Sequence, residues 1–142
     1  MPNTLKKAER LNRKKVIGKM FTGGAGARSF AVFPLRVVYL MEPELKSQAS
    51  VLISVPKRNF KHAVDRNWLK RQIRESYRLN KAPLLEALAN RNEKMAISFL
   101  YLSDELMASD IIRKRMKVAL EKMVERLAAE HQIPESHEES AV

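Results

Sequence analysis

The feature that most restricts the fold is a basic amphipathic segment, residues 63–79, which lies between two apolar, strand-like segments. At about 100° per residue, its polar groups share an arc of about 140° and its apolar side chains face the other way. The flanking segments, residues 49–55 and 95–102, are short aliphatic runs typical of strands. Two strands joined through a crossover helix form a βαβ unit, so we predict an α+β fold, a single-domain α/β sandwich with a mixed sheet.

The segment before this unit predicts one helix and one or two further strands. Residues 4–20 carry an imperfect apolar stripe on a basic background and predict a first helix. Three of the four glycines lie in residues 22–26, which predicts a flexible turn. Pro34 interrupts a run of β-branched and aromatic residues and favours an edge position or a break, so the pairing strand is expected at residues 35–41.

The C-terminal part predicts a short helix or turn at residues 84–90, a last helix that ends near residue 130, and a tail. The apolar positions of the last helix fall on one face: Ile112, Met116, Ala119, Leu120, Met123 and Leu127. Residues 131–142 are acidic, and we interpret them as a disordered tail. The predicted order is α-β-β(-β)-α-β-α, with residues 1–130 forming one domain.

The charge is large and unevenly distributed. The chain has 27 Lys and Arg against 16 Asp and Glu, a net charge of +11. Residues 1–81 hold 19 basic and 5 acidic side chains, or +14, whereas residues 82–142 hold 8 and 11, or −3. A solvated helix face usually mixes both signs, so this concentration predicts a polyanionic partner: nucleic acid first, an acidic membrane second.

The candidate binding residues on the basic segment share one helical face. They are Arg66, Asn67, Lys70, Arg71, Arg74 and Arg78. Like charges four residues apart repel each other in an isolated helix, and phosphates placed opposite them would relieve that repulsion. The planar guanidinium contacts a phosphate through two donors. Asn67 suits a backbone oxygen or a base edge, and it is equally well explained as an exposed helix residue.

Composition excludes several other classes. Cysteine is absent, so disulfides, thiol nucleophiles and cysteine-ligated metals are excluded. Only His62, His131 and His137 are available as histidines, and no metal-ligand spacing appears, which argues against a self-sufficient nuclease. No apolar run reaches the roughly 20 residues of a membrane helix, and the basic helices lack an apolar face for a membrane surface. A non-catalytic structural RNA-binding protein, such as a ribosomal component, fits the charge and the fold equally well.

One long motif discriminates between these alternatives. ISVPKR at residues 53–58, followed by AVDRNWLKRQIRESYR at 63–78, closely resembles the bacterial ribonuclease P protein subunit. That family has a strand ending in Ser-Val, a Lys/Arg pair, Ala-Val, and then Arg-Asn-Arg-x-Lys-Arg-x-Ile-Arg-Glu on a helix. The resemblance covers roughly residues 4–127. This chain departs from the pattern at Trp68, where the family is usually basic, and at residues 59–62, where the family usually has small residues.

The resemblance implies a ribonucleoprotein endoribonuclease that removes the 5′ leader from precursor tRNA in the cytoplasm. The RNA subunit, with Mg²⁺, is expected to perform the chemistry, so no catalytic residue and no bound metal are expected on the protein. The implied partners are the catalytic RNA and the 5′ leader; no membrane and no protein oligomer are predicted. The family also implies a left-handed βαβ crossover, against the general preference for right-handed ones.

The resemblance implies two groups of site residues. Arg66, Asn67, Lys70, Arg71 and Arg74 would lie on the RNA-facing helix, and the basic set is completed by Arg78, Lys57, Arg58 and Lys61. The groove for the leader would be lined by Phe21, Ile17, Phe33 and Tyr39, and its aromatic members would stack single-stranded bases. Ile17 stands where the family commonly has another aromatic, which weakens that part of the groove. Phe21, Phe33 and Tyr39 are also open to a simpler interpretation as core residues. Trp68 is expected to pack against the fold rather than to stack on RNA.

Overall fold

The computed structural model describes residues 27–141, and side chains as far as residue 129. Within this range the chain forms four strands and three helices. In chain order these are β1 (Arg28–Val32), β2 (Leu35–Met41), β3 (Ala49–Ser54), α1 (Ala63–Asn80), α2 (Ala82–Arg91), β4 (Met95–Tyr101) and α3 (Ser109–Ala141). The predicted helix at residues 4–20 and the glycine-rich turn lie outside the described residues.

The strands form one mixed sheet with the order β1-β2-β4-β3. β2 pairs with β1 and β4 in antiparallel fashion, whereas β3 pairs with β4 in parallel. The connection from β3 to β4 contains α1 and α2, which confirms the predicted crossover unit and the mixed sheet. The left hand of this crossover stays a prediction.

Pro34 lies in the turn that separates β1 from β2. Val32 pairs with Leu35, so Phe33 and Pro34 form a two-residue connection with a cis peptide bond between them. A proline lacks the amide hydrogen that a central strand position needs, which explains why the strand begins after it. The carbonyl of Pro34 accepts a hydrogen bond of 2.7 Å from the amide of Leu102, so this turn is tied to the end of β4.

The core lies between one face of the sheet and the helices α1 and α3. β4 is one of the two central strands, and five of its first six residues, Met95–Leu100, are buried, as its continuous apolar run predicts. The predicted apolar face of the last helix is buried throughout: Ile112, Met116, Ala119, Leu120, Met123 and Leu127. α3 packs over β1 and β2, whereas α1 packs over β3 and beside α3.

The two helices of the C-terminal region, α2 and α3, end at other residues than the sequence pattern predicts. The short helix predicted at residues 84–90 is α2, and it ends at Asn92, which has a φ of 55°. Asparagine tolerates this left-handed conformation, which lets the backbone N–H of Asn92 donate to the carbonyl of Ala89. The assignment of α3 continues to Ala141, through most of the segment interpreted above as a tail. The division into a domain and a disordered tail stays a prediction.

Within the range that the structure covers, no helix is long and apolar enough to cross a membrane.

Candidate nucleic-acid interface

α1 presents its polar side to solvent because its other side is fixed in the core. Leu69, Ile73 and Tyr77 are fully buried, and the ring of Tyr77 lies 5.8 Å from that of Phe99 on β4. The spacing of these three residues by four positions places them on one side of the helix. The orientation of α1, and with it the position of every cation on the helix, is therefore set by the sheet.

We call the basic surface of α1 the α1 cationic face; it is made of Arg66, Asn67, Lys70, Arg71 and Arg74. At about 100° per residue this face begins on the flank beside the buried residues and continues round to the solvent side of the helix. Asn67 and Arg71 are therefore exposed, whereas the other three are half-buried. In the described part of the chain, no hydrogen bond or ion pair engages the side chains of Lys70, Arg71 or Arg74. Such cations are available to bind phosphate without first breaking an intramolecular contact.

Arg66 has a second task that the sequence pattern does not show. Its Nη1 donates to the carbonyl of Phe60 at 2.6 Å and to that of Lys61 at 3.1 Å. Phe60 is buried, and its ring lies 5.9 Å from the ring of Tyr101 at the end of β4. The loop before α1 is therefore held at residues 60 and 61, by an aromatic anchor and by a guanidinium.

The basic side chains of that loop, Lys57, Arg58 and Lys61, are exposed. Phe60 occupies one of the positions where this chain departs from the family pattern, and its burial gives the departure a structural reason. Because Phe60 turns inward, the three cations stay outside, beside the beginning of α1. The loop and the α1 cationic face thus form one continuous basic region.

Arg78 differs from the other basic residues of α1. Its Nε donates to Oε2 of Glu75 at 3.1 Å, and its Nη2 forms an ion pair with Oε1 of the same carboxylate. The hydrogen bond from Arg78 lowers the pKa of the Glu75 carboxyl, and the charge of Arg113 on α3 acts in the same direction. The helical wheel places Arg78 on the basic arc, but the structure gives its charge an acidic neighbour; a role in RNA binding stays a prediction.

Two aromatic candidates for the groove are placed very differently. Phe33 lies in the turn between β1 and β2 and is 56% exposed, which contradicts its interpretation as a core residue. Tyr39 is only 2% exposed and packs edge-on against Phe30, with ring centroids 6.2 Å apart. The structure therefore corrects the assignment of Tyr39, because strand alternation turns it into the core. Phe21 and Ile17 lie outside the described residues.

Phe33 and the basic loop lie at the same end of the sheet. β3 and β4 are parallel, so the loop after β3 and the segment after β4 leave the sheet at one edge. The Phe60–Tyr101 ring contact joins the loop to β4, and the Leu102–Pro34 hydrogen bond joins β4 to the turn that contains Phe33. An exposed aromatic ring and three exposed cations are thus brought to one edge, which is the composition of a surface that binds single-stranded nucleic acid.

Trp68 is half-buried and packs against the core, which confirms the expected packing role. Among the described residues, no three His, Asp or Glu side chains are grouped so that they could hold a metal ion. The α1 cationic face and its neighbouring loop therefore offer donors for anions rather than ligands for cations.

Sequence reasoning missed one set of charges, on α3. Arg113, Lys114, Arg115 and Lys117 are all exposed. The negative net charge of residues 82–142 concealed them, because much of that acidity lies beyond residue 129. The signal that could have identified them is the run RKRMK at residues 113–117 on a helix whose apolar positions were already assigned.

Comparison with known proteins identifies the family. The family model described as Ribonuclease P matches residues 5–128. The chain is 40% identical over 117 residues to the "Ribonuclease P protein component" of Porphyromonas gingivalis, which covers 82% of this chain and 83% of the relative. It is 29% identical over 134 residues to the protein of the same name from Chlorobium phaeobacteroides, covering 85% and 92%.

The fold has a counterpart among solved structures. The structure of the Staphylococcus aureus RNase P protein matches with a TM-score of 0.65 at 22% identity, and it covers 82% of this chain and 96% of that one. At this identity the match supports the fold, and the family follows from the sequence comparisons. The motif on α1, the mixed sheet and these similarities agree, and the chain belongs to the ribonuclease P protein family.

Proposed function

We propose that this chain acts in ribonuclease P by holding the catalytic RNA on the α1 cationic face and the 5′ leader of precursor tRNA at the Phe33 edge of the sheet. The single observation that carries the first part is a set of cations without partners among the described residues, on a helix whose orientation is fixed by its buried side chains. Family membership disfavours the alternative of a ribosomal or other structural RNA-binding protein.

The contact with the catalytic RNA is proposed to be electrostatic. Among the described residues, Lys70, Arg71 and Arg74 have no partner to exchange for phosphate, and Arg66 keeps further guanidinium donors beyond the nitrogen that holds the loop. Asn67 is exposed beside them and is suited to an oxygen of the backbone or to a base edge.

The contact with the leader is proposed to combine stacking and charge. Phe33 offers an exposed ring at the same end of the sheet as Lys57, Arg58 and Lys61. These three cations adjoin the α1 cationic face as well, so they are shared between the catalytic RNA and the leader. Single-stranded RNA is bound in this way because every base has a face that stacks and every nucleotide has a phosphate. Phe21 and Ile17, outside the described residues, would extend this groove.

The cleavage chemistry is proposed to reside on the RNA subunit, in the cytoplasm. Magnesium supplies a Lewis acid and an activated water in phosphodiester hydrolysis. The residues gathered at the interface do not fit such an ion, because ammonium and guanidinium groups repel it and no cluster of ligands accompanies them within the described range. The ions are therefore assigned to the RNA, and the protein's part is to bind and orient.

The test is reconstitution. The purified protein alone should leave precursor tRNA intact, and it should lower the Mg²⁺ or salt requirement of a ribonuclease P RNA that cleaves the same substrate. The matched control protein carries Lys70→Gln and Arg74→Gln. Cleavage at the mature 5′ end by RNA-free protein, or equal stimulation by the control variant, would contradict the proposal.

A further inference from the structure

We propose that α3 carries a second surface for RNA phosphates, separate from the α1 cationic face. It consists of Ile111, Arg115, Val118, Lys122 and Arg126, which we call the α3 basic stripe. The inference rests on the proposed function in that the RNA is taken to be the ribonuclease P RNA. It adds a contact that neither the motif on α1 nor the leader groove includes.

The stripe is defined by helical spacing. Its members follow one another at intervals of three or four residues, so they lie within an arc of about 80° on one side of α3. Ile111 and Val118 are each 44% exposed, and Arg115 and Lys122 are exposed as well. The acidic residues of α3 up to residue 129, Asp110, Glu121 and Glu125, all fall outside this arc.

The charges of the stripe are not neutralised within the fold. The Lys122 ammonium lies 5.5 Å from the centre of the Phe30 ring on β1, and the Arg126 guanidinium lies 4.7 Å from the same centre. In the part of the chain that the structure covers, neither cation forms an ion pair, and Arg115 has no polar partner. Two cations gathered over one ring repel each other, and an anion between them would relieve the repulsion.

The stripe lies on the side of α3 that faces away from α1. Lys122 and Arg126 lean toward β1, the outer strand of the sheet, whereas Arg113 acts on Glu75 of α1 from the other flank. The body of α3 thus separates the two basic surfaces. A single phosphate could not bridge them, so the α3 basic stripe would bind a different segment of the RNA.

The mixed composition of the stripe also favours RNA. Phosphate oxygens match the three cations, and the exposed aliphatic side chains of Ile111 and Val118 can contact ribose or the face of an unpaired base. An acidic protein would satisfy the cations equally well, and the experiments below separate that outcome from RNA binding.

The first experiment compares charge-matched variants in binding to ribonuclease P RNA transcribed from the same genome. The stripe variant is Arg115→Gln with Lys122→Gln, and the control is Lys114→Gln with Lys46→Gln, two exposed lysines off the stripe. If each removed contact contributes a slope of 0.7 to 0.9, the stripe variant should bind about 25- to 60-fold more weakly in 0.1 M salt. The slope of log K against log salt should become shallower by about two, while the control should match wild type.

The second experiment locates the contact and uses the absence of cysteine from the chain. Single-cysteine variants Val118→Cys, on the stripe, and Glu86→Cys, at an exposed position of α2, are labelled with a hydroxyl-radical-generating reagent and bound to the same RNA. Strong cleavage from position 118 at a segment that position 86 does not cleave supports the proposal. Cleavage from Arg71→Cys on α1 should map to a third segment.

The outcomes keep the two proposals apart. If Lys70→Gln with Arg74→Gln weakens binding while the stripe variant behaves as its control and position 118 cleaves nothing, the α3 contact is refuted and the proposed function stands. If neither pair alters RNA binding, the proposed function fails as well. Unchanged circular dichroism and urea midpoints for each variant ensure that a loss reports binding rather than unfolding.

Discussion

Replacing Arg66 by Gln should weaken RNA binding more than the loss of one charge explains. The Nη1 of Arg66 donates at 2.6 Å to Phe60 and at 3.1 Å to Lys61, and both contacts hold the loop that carries Lys57 and Arg58. Gln is too short to reach these carbonyls from the helix. The variant therefore loses a cation and also releases three loop cations from their fixed positions.

The loss of RNA affinity in Arg66→Gln has two contributions, one from the charge and one from the loop. The lost charge alone should cost about 5- to 8-fold in 0.1 M salt, from a slope of 0.7 to 0.9. Refixing the backbone of even one loop residue on binding costs about 1–2 kcal/mol, which is a further factor of about 5 to 30. Two charge-assisted hydrogen bonds from one partly exposed nitrogen should also contribute about 1–2 kcal/mol to folding stability.

The matched control is Arg71→Gln, since Arg71 is exposed on the same helix and has no partner among the described residues. Both variants should make the salt slope shallower by about one, because each removes one phosphate contact. Arg66→Gln should then show at least a 25-fold loss of affinity and a lower urea midpoint, against 5- to 8-fold and no shift for Arg71→Gln. Equal losses of affinity and equal midpoints would refute the loop-holding role of Arg66.

Three further predictions follow from neighbouring contacts. Arg74→Gln should make the salt slope shallower by about one, whereas Arg78→Gln should change it less, because Arg78 is already paired with a carboxylate. RNA-binding titrations at several salt concentrations measure both slopes, and a larger change for Arg78→Gln would contradict the prediction. Phe33→Ala should leave the urea midpoint unchanged and should weaken binding of long-leader but not of leaderless precursor tRNA. Tyr39→Ala, by contrast, should lower the free energy of unfolding by about 3–5 kcal/mol because Tyr39 is buried. Equal losses of affinity on both substrates for Phe33→Ala would show that Phe33 is not part of the groove. The pKa of Glu75 is lowered below 4.5 in the folded state, so its contribution to stability is present above that pH and disappears as the pH falls through the lowered value. The urea midpoints of wild type and of Glu75→Gln should therefore converge in acid. A constant difference between the two midpoints down to about pH 2 would contradict the ion pair.

The elements of the sheet were predictable because their signals are local. Pro34 fixes the start of β2 at Leu35, and the short aliphatic run at residues 49–55 has no competing helical period. The basic arc of α1 was also predictable, since it depends only on helical spacing. Which arc residues already have partners was not, because the loop carbonyls that engage Arg66 are placed by tertiary packing of Phe60.

The aromatic candidates for the leader groove show more clearly that sequence alone does not predict which side chains are exposed. Phe33 and Tyr39 are both aromatic and lie in one strand-rich segment, and composition alone treats them alike. Their exposures differ because Phe33 lies in the two-residue turn, whereas Tyr39 lies on the core-facing side of β2. A shift of one residue in the register would turn Tyr39 away from Phe30 and onto the opposite face of the sheet, where Val38 and Leu40 lie. The register is set by pairing with β4, which is far away in the sequence.

The position of β4 in the sheet has a consequence for synthesis on the ribosome. β4 lies between β2 and β3, yet its residues, 95–101, are made after all the other strands and after α1. Until β4 leaves the exit tunnel, β3 has no strand partner in the described sheet, and the apolar side of α1 lacks much of the surface that fixes it. A nascent chain thus exposes its cations before it can hold them in a defined array. Selective RNA binding should begin only after residues 95–101 have emerged from the ribosome, which delays assembly of the ribonucleoprotein until the sheet can be completed.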